Sequence, residues 1–396
     1  MSSASSAARP LALASLGALV VSLDSAVNIA FPAISGEFGI GPAMIKWVVI
    51  TYVLTSAVGS LASGWLGDRA GHRRVFLAGL WLSAFAFTLV GSVRAYGVFL
   101  LVRVIQGAGS GLVYGTAPAL VTLSVPASAR GRGLGLLNLG MALGFAVGPA
   151  VGGVLVEKFG WRWIYLFRVP LAVLLAVGAA VWLRPARTSE RSFQEPVWRA
   201  LTPQVLLATF LALLSNLAVF AVWLLVPYYL VDILHESPGL GGLIFLLTPL
   251  GTAVAAPLSG WGADRLGTRG LVVTGLAVES AGLFLVSRFD AGSHAWAVAL
   301  ALSLVGLGQG IFTVPNMNLV MRELPRQGLA GGMMLTMRTV GVLLGVSVAS
   351  LVFDWRQRVT ASFMIAFRDT FLASTGICLV ALLVSLIPMR STRRRR

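Results

Sequence analysis

The chain has 396 residues, of which 57% are apolar and only 11% charged, and its formal net charge is +16. Soluble domains carry about 25% charged residues, so this composition excludes a water-soluble globule and predicts a chain whose main solvent is lipid. The basic residues separate apolar runs instead of forming a patch with interleaved aromatic residues, which argues against nucleic acid as a partner.

Twelve apolar runs are each close to the ~20 residues that cross a bilayer core as a helix. In hydrocarbon every backbone N–H and C=O must be bonded internally, and runs of this length favour helices over the strands of a closed barrel. In chain order the predicted spans are 11–33, 44–66, 74–93, 97–122, 131–155, 162–184, 203–231, 238–262, 269–287, 294–320, 328–352 and 367–388. The first run follows Arg9, contains Asp24 and is too long for the core of a signal peptide, so it is read as a retained span.

The longest polar interval in mid-chain, 184–200, separates predicted spans six and seven. It divides the chain into an N-terminal six-helix bundle (1–183), a cytoplasmic linker and a C-terminal six-helix bundle with a basic cytoplasmic tail (201–396). Arginines are concentrated in the gaps on the side of both termini, so the positive-inside rule places both termini in the cytoplasm. We expect a multi-pass protein of the cell inner membrane.

Sequence patterns recur between the two halves. The segment Gly64–Arg73 returns as Gly260–Arg269, each at the end of the second span of its half. Two other features recur: the proline that ends the first span (Pro32 and Pro227) and a glycine pair in the fifth span (Gly144 and Gly148, Gly341 and Gly345). A duplicated six-span unit predicts two pseudo-symmetric bundles.

Four segments resemble motifs of the major facilitator superfamily. Gly64–Arg74 is similar to its signature loop between spans 2 and 3, and Leu101–Gly109 to its span-4 motif with a membrane-embedded arginine. Gly144–Gly153 looks like the span-5 motif of the antiporter branch, and Leu23–Pro32 resembles the span-1 motif of drug:proton antiporters. The resemblance implies the major facilitator fold, alternating access about a midplane cavity, and coupling to protons. The span-1 motif is most typical of a branch with 14 spans, whereas this sequence has room for twelve.

The loop Gly64–Arg74 lies where one predicted helix leaves the membrane and the next enters. Its glycines permit a tight turn, and its acidic residue can cap a helix or pair with an arginine. The resemblance assigns the loop to the inner gate, and an ordinary charged turn is the alternative. The predicted gating residues are Gly64, Asp68, Arg69, Gly71, Arg73 and Arg74, with Asp264 and Arg265 in the repeat.

Small residues give predicted span 5 a smooth face and a kink, which allow a partner helix to approach closely. These residues are Gly144, Gly148, Pro149, Gly152 and Gly153. The resemblance assigns this face to the gating interface between the halves, and static packing is the alternative.

Ionisable residues inside a span cost about 2.5–3.5 kcal/mol on insertion scales, so each such residue suggests a function. Asp24 lies mid-way along span 1 and is predicted to bind and release a proton, with a structural ion pair as the alternative. Arg103 keeps its charge and must hold a carboxylate or a carbonyl. The resemblance suggests that Arg103 tunes the proton site, whereas bonding to backbone carbonyls of span 1 is the alternative.

Two ionisable residues lie inside spans of the second half. Glu279 belongs to span 9, where a pairing or lipid-interface role competes with a role in transport. Arg338 in span 11 is a better cavity candidate and would accept an anionic substrate or neutralise a carboxylate. The predicted substrate-cavity residues are Asn28, Gln106, Tyr114, Trp223, Tyr228, Phe312, Asn316 and Arg338, although aromatic residues near span ends are more often interfacial belts.

No phosphate-binding loop or nucleophile motif occurs, so the chain is not expected to be an enzyme, and pumping must draw on an ion gradient. The single cysteine, Cys378, and three scattered histidines predict no disulfide, metal site or other cofactor. The sequence predicts a monomeric secondary transporter, with protons and membrane lipid as partners, that exports small amphipathic or drug-like compounds. A solute importer, a lipid flippase and a non-transporting receptor remain alternatives.

Overall fold

The computed structural model describes residues 2–124, 130–183, 202–323 and 327–386. Within these ranges, twelve helices are long and apolar enough to cross a membrane. The prediction of an all-α membrane protein with about twelve spans is confirmed.

The first half contains α1 (Ser2–Ser22), a 3₁₀ segment (Leu23–Ala30), α2 (Phe31–Phe38), α3 (Pro42–Ala70), α4 (His72–Val90), α5 (Tyr96–Ser124), α6 (Arg130–Phe159), α7 (Trp163–Leu166) and α8 (Arg168–Trp182). The second half contains α9 (Pro203–Tyr228), a π-helical segment (Tyr229–Ile233), α10 (Pro238–Leu266), α11 (Thr268–Val286), α12 (Ala295–Glu323), α13 (Gln327–Thr360) and α14 (Phe363–Ser385). The helix α1, the 3₁₀ segment and α2 together form the first candidate span, and α7 and α8 form the sixth.

Packing divides the chain into two compact units. The first unit comprises Met1–Ser192 with Leu224–Leu246, and the second comprises Phe193–Trp223 with Leu247–Arg396. The predicted cytoplasmic linker, 184–200, and the basic tail at the C-terminus lie outside the described residues.

Helix α1 contributes to a continuous apolar core in the first unit. Its Ala14 and Ala18 are fully buried and share that core with Phe76 of α4 and Val113 of α5. By contrast, large apolar side chains such as Leu174 of α8 are exposed, in that case by 69%. Contiguous apolar exposure of this kind is what lipid rather than water permits.

The eleventh candidate span, Thr336–Thr360, ends beyond the predicted boundary at 352. The helix continues because its charged residues find partners: Arg358 pairs with Asp354 one turn away at 2.7 Å, and Arg356 pairs with Asp369 of α14 at 2.5 Å. Asp354, Arg356 and Arg358 therefore lie within the last two turns of α13 and do not mark its end.

Candidate functional site

A buried group of charged and polar side chains lies within the first unit. It consists of Asp24 at the start of the 3₁₀ segment, Arg103 and Gln106 of α5, and Arg168, the first residue of α8. Asp24 is 9% exposed and the other three residues are at most 2% exposed. We call these four residues the Asp24 cluster.

The Asp24 carboxylate accepts hydrogen bonds from every other member of the cluster. Arg103 donates through Nη1 to Oδ1 at 2.8 Å and through Nη2 to Oδ2 at 2.9 Å, which is the bidentate geometry of the strongest ion pairs. Gln106 donates to Oδ1 at 2.6 Å and accepts from Arg103 at 2.8 Å. Arg168 Nη1 lies 3.4 Å from Oδ1.

Each guanidinium group is also held from a second side. Arg103 donates through Nε to the carbonyl of Val48 at 3.0 Å, and its Cζ lies 4.4 Å from the centre of the Tyr52 ring. Arg168 donates through Nε to Ile164 at 2.8 Å. Two guanidinium groups and one carboxylate leave this buried cluster with a formal charge of +1, so the pairing neutralises Asp24 but not the cluster as a whole.

The structure brings Asp24, Arg103 and Gln106 together, although the sequence does not identify the partner of Asp24. Sequence reasoning misses the third charged member, Arg168. Arg168 resembles a loop charge because it lies near one end of the predicted span 162–184. The available signal is that it lies inside that span, which is the same criterion that singles out Arg103.

The backbone changes form at the candidate proton site. The α-helix α1 tightens into an eight-residue 3₁₀ segment at Leu23, which is long for a helix type with weaker hydrogen-bond geometry. Ser25 Oγ donates to Phe145 O of α6 at 2.8 Å, and the side chain of Asn28, a predicted cavity residue, donates to Ser25 O at 3.1 Å. Mid-helix 3₁₀ segments often mark a functional hinge.

Two other predicted cavity residues belong to the first unit. The Tyr114 hydroxyl lies 2.9 Å from Ser22 Oγ, which joins α5 to α1 two residues before Asp24. Tyr228, at the end of α9, is 2% exposed, and its hydroxyl lies 2.5 Å from Ser35 Oγ of α2.

The remaining predicted cavity residues belong to the second unit. Trp223 and Phe312 are buried, Asn316 is fully buried and donates to Ala208 O of α9 at 2.8 Å, and Arg338 on α13 is exposed. That these residues line one cavity with those of the first unit stays a prediction.

Glu279 of α11 does not face lipid, because it is 0% exposed. Its two carboxyl oxygens lie 2.9 Å and 3.0 Å from the donating hydroxyl of Ser215 on α9. The thiol of Cys378 on α14 lies 3.6 Å from Oε1. These neighbours all belong to the second unit.

The segment Gly64–Arg74, predicted as a loop, consists of the end of α3, the turn residue Gly71 and the start of α4. Gly71 has a φ of +89°, and Gly267 has a φ of +87° between α10 and α11, so the repeated glycine supplies a backbone conformation that other residues avoid. The Arg69 guanidinium stacks 4.0 Å from the centre of the Trp65 ring. A Cβ atom added to Gly64 would meet nothing within 4 Å, so no close contact requires a glycine at that position.

The arginines that open α4 and α11 make equivalent bonds. Arg73 Nη2 donates to Ala180 O in the last turn of α8 at 2.5 Å, and Arg269 Nη2 donates to Leu386 O just after α14. Cations stabilise helix C-termini, so each arginine fastens the last helix of its own half. Arg74 is exposed, and the side chains of Asp68, Asp264 and Arg265 lie outside what the structure describes.

The glycines of α6 let it approach the first span closely. A Cβ atom on Gly144 would lie 2.4 Å from Leu19 O, one on Gly148 2.0 Å from Ser25 Oγ, and one on Gly152 2.7 Å from Ala26 O. One on Gly153 would lie 2.2 Å from Pro238 O, which belongs to the same compact unit. Pro149 is inside α6, where it removes a backbone donor. Their assignment to a gate stays a prediction.

Known proteins that resemble the chain are transporters. It is 24% identical over 439 residues to the riboflavin transporter RibZ of Clostridioides difficile (strain 630), which covers 95% of this chain and 96% of that protein. It is 28% identical to the tetracenomycin C resistance and export protein of Streptomyces glaucescens, over 86% of this chain and 75% of that protein. It is also 28% identical to the puromycin resistance protein pur8 of Streptomyces alboniger, over 84% and 79%.

Solved structures share the fold. The nucleoside transporter NupG superposes with a TM-score of 0.79 at 12% identity, covering 96% of this chain and 98% of that one. A bacterial homolog of the human lysosomal transporter Spinster superposes with a TM-score of 0.77 over 97% of both chains. The family model described as Major Facilitator Superfamily matches residues 13–214 and again residues 205–396. The chain is therefore a membrane transporter that belongs to the major facilitator superfamily.

Proposed function

We propose that this transporter exports small amphipathic or drug-like organic compounds in exchange for protons, by alternating access. The tetracenomycin C resistance and export protein and the puromycin resistance protein pur8 support export of such compounds. The multidrug resistance protein Stp of Mycobacterium tuberculosis, 26% identical over 86% of this chain, supports a broad substrate range.

The observation that carries the proposal is the Asp24 cluster. A carboxylate held by two guanidinium groups has two alternative ways to be neutralised, either by those groups or by a proton. When Asp24 takes up a proton, its bonds to Arg103 and Arg168 weaken, and the geometry of the 3₁₀ segment is free to change. Asp24 thus carries the proton, and Arg103 adjusts when it is taken up.

The other predicted residues complete the proposal. Asn28, Gln106, Tyr114, Trp223, Tyr228, Phe312, Asn316 and Arg338 are candidates for substrate contact, and the loop Gly64–Arg74 with its repeat would latch the inner gate. The N-terminal bundle, the linker and the C-terminal bundle would divide at 184–200. The protein would act as a monomer in the cell inner membrane with both termini in the cytoplasm.

A second candidate function is transport of a nutrient-sized solute. The riboflavin transporter RibZ favours it, because the match covers nearly the whole of both chains. Expression in a sensitive host separates the two: an exporter raises tolerance to toxic compounds, whereas a solute importer permits growth on its solute.

The test is flux into proteoliposomes that carry a pH gradient, using a fluorescent amphipathic cation as the probe. Asp24→Asn should abolish the part of transport that the gradient drives and leave slow downhill flux. Asp290→Asn, in an exposed turn after α11, is the matched control and should transport as the parent does. Asp24→Glu retains a carboxylate at this position, so it shows whether a change of side chain there by itself prevents folding. Undiminished gradient-driven transport by Asp24→Asn would refute the assignment.

A further inference from the structure

We propose that Glu279 is a second proton-binding site of this transporter, within the second unit and separate from the Asp24 cluster. Its ligand is a proton, which forms an O–H bond at the carboxylate and is released to water when that bond breaks. Its part in coupling rests on the proposed function, whereas its protonation does not.

The first observation is the set of groups around the Glu279 carboxyl. From α9 it meets the Ser215 hydroxyl and from α14 the Cys378 thiol. Helix α12 packs against the backbone of the same residue, where a Cβ atom on Gly308 would lie 2.3 Å from Glu279 N. Ser280 lies beside it on α11 and is also buried. Among the described residues, no lysine, arginine or histidine is within ion-pair distance of the carboxyl.

The second observation is a shortage of donors. An ionised carboxylate has about four acceptor sites, whereas one hydroxyl proton bonds to one oxygen at a time and a thiol is a weak donor. An isolated carboxylate buried without a cation is unstable and becomes neutral instead. The carboxyl in this arrangement is therefore satisfied as the protonated acid.

The third observation comes from the internal repeat. Ser83 in α4 and Glu279 in α11 are equivalent positions, because each lies eleven residues after the first residue of its helix, His72 or Thr268. Ser83 is likewise 0% exposed. The packing around it is also repeated: a Cβ atom on Gly109 would lie 2.8 Å from Ser83 N, as one on Gly308 meets Glu279 N. The fold therefore does not require a carboxyl at this place.

The partner of Glu279 differs between the halves as well. Gly144 approaches Leu19 and Ser22, and Gly341 approaches Leu213 and Asn216, which aligns α1 with α9. In this alignment Ser215 corresponds to Val21, a fully buried apolar residue. The second half thus has an acid and a hydroxyl where the first half has a hydroxyl and a valine.

The two buried acids are suited to different tasks. Asp24 faces two guanidinium groups, whereas Glu279 faces only neutral groups, and environments that differ in this way assign acids to different protonation states. Because Ser215 lies on α9 and Glu279 on α11, movement of one helix past the other changes the donors at the carboxyl. Such movement would load or release its proton.

The experiment is infrared spectroscopy of the purified full-length protein in lipid at neutral pH, where the C=O stretch of a protonated carboxylic acid is separate from carboxylate bands. The parent and Asp24→Asn should show this band, with its shift in heavy water, and Glu279→Gln should lack it. Ser215→Val, which copies the first half, should move the band without removing it.

Three results would overturn the proposal: no such band in the parent at neutral pH, a band that persists in Glu279→Gln, or a band lost in Asp24→Asn. Gln is isosteric and uncharged, so Glu279→Gln should fold. If Glu279→Gln does not fold, Glu279→Asp is used in its place, and a shift of the band assigns it to residue 279. Because the band needs no transport, it can be present even where the proposed proton-driven export fails. In flux assays Glu279→Gln should lower the number of protons exchanged per substrate by one.

Discussion

The Asp24 carboxylate keeps its charge inside the protein only because its neighbours replace the water it has lost. Two bonds from Arg103, one from Gln106 and the nearby Arg168 together occupy both of its oxygens. Removing one partner of a buried ion pair leaves an uncompensated charge, and this costs more than the intact pair contributes.

We predict a strong energetic coupling between Asp24 and Arg103. Arg103→Gln should lower the free energy of unfolding by about 3–5 kcal/mol, because it removes the bidentate partner of the carboxylate and leaves Gln106 and the longer contact to Arg168, at 3.4 Å. Asp24→Asn combined with Arg103→Gln should cost less than the sum of the single changes. The parent, the two single variants and the double variant form a double-mutant cycle. Denaturant unfolding in detergent, followed by tryptophan fluorescence, measures the free energy of unfolding of each.

The exposed pair of α13 provides the control for that cycle. Arg358 is 77% exposed and pairs with Asp354 within the same helix, so Arg358→Gln should cost about 0.5 kcal/mol or less. Strict additivity of the Asp24 and Arg103 changes would show that the two side chains do not form the pair described.

Individual residues of the cluster can be predicted from the sequence to different degrees. Asp24 and Arg103 stand out because an ionisable residue deep in an apolar run is costly. Gln106 follows because residues three apart share a helix face. Arg168 also lies inside a predicted span, but it is so near the end of that span that it is grouped with loop charges, and its partner is brought close only by tertiary packing.

Helix α6 and the first span illustrate packing that depends on the absence of a side chain. We predict that Gly144→Ala lowers thermal stability and expression, because its Cβ would lie 2.4 Å from the backbone oxygen of Leu19, which cannot move alone. Overpacking of this kind costs about 1–3 kcal/mol. A fluorescence-detected melting curve of the purified protein measures the change.

Gly135 in the same helix is the matched control. A Cβ atom there meets nothing within 4 Å, so Gly135→Ala should leave the melting temperature unchanged or raise it slightly. Equal melting temperatures for the Gly144 and Gly135 variants would mean that the close approach of α6 to α1 is not structurally required.

Helix ends are harder to predict than helix existence. Apolar runs identify each span because hydrocarbon leaves the backbone no alternative. The sequence pattern ends α13 too early, since Asp354, Arg356 and Arg358 look like a loop until their partners are known. The 3₁₀ segment at Leu23 escapes prediction, because it contains no glycine or proline that would mark a change in the helix.

At the scale of the whole molecule, the sequence repeat and the structure give the same account. The recurring glycine turn, the recurring arginine bond and the two matches to one family model all describe a duplicated six-helix arrangement. The substrate cannot be predicted in the same way, because the fold is shared by transporters of unrelated compounds.

The charge distribution predicts the orientation in the membrane. We expect an alkaline phosphatase fused in the gap between α4 and α5 to be active, and green fluorescent protein fused to the C-terminus to fluoresce, because arginines are concentrated in the gaps on the same side as both termini. Fusions with the two reporters exchanged are the control and should both be inactive. An active phosphatase at the C-terminus would reverse the assigned topology.

The paired bonds of Arg73 to Ala180 and Arg269 to Leu386 bear on how the protein is made. When the ribosome has delivered α8, the nascent chain already contains both the arginine and the carbonyl that join the third span to the sixth. The first six helices can fasten together during translation, while the second six are still being synthesised. The same joint then forms again at the end of synthesis, when α14 follows the arginine of α11 into the bilayer.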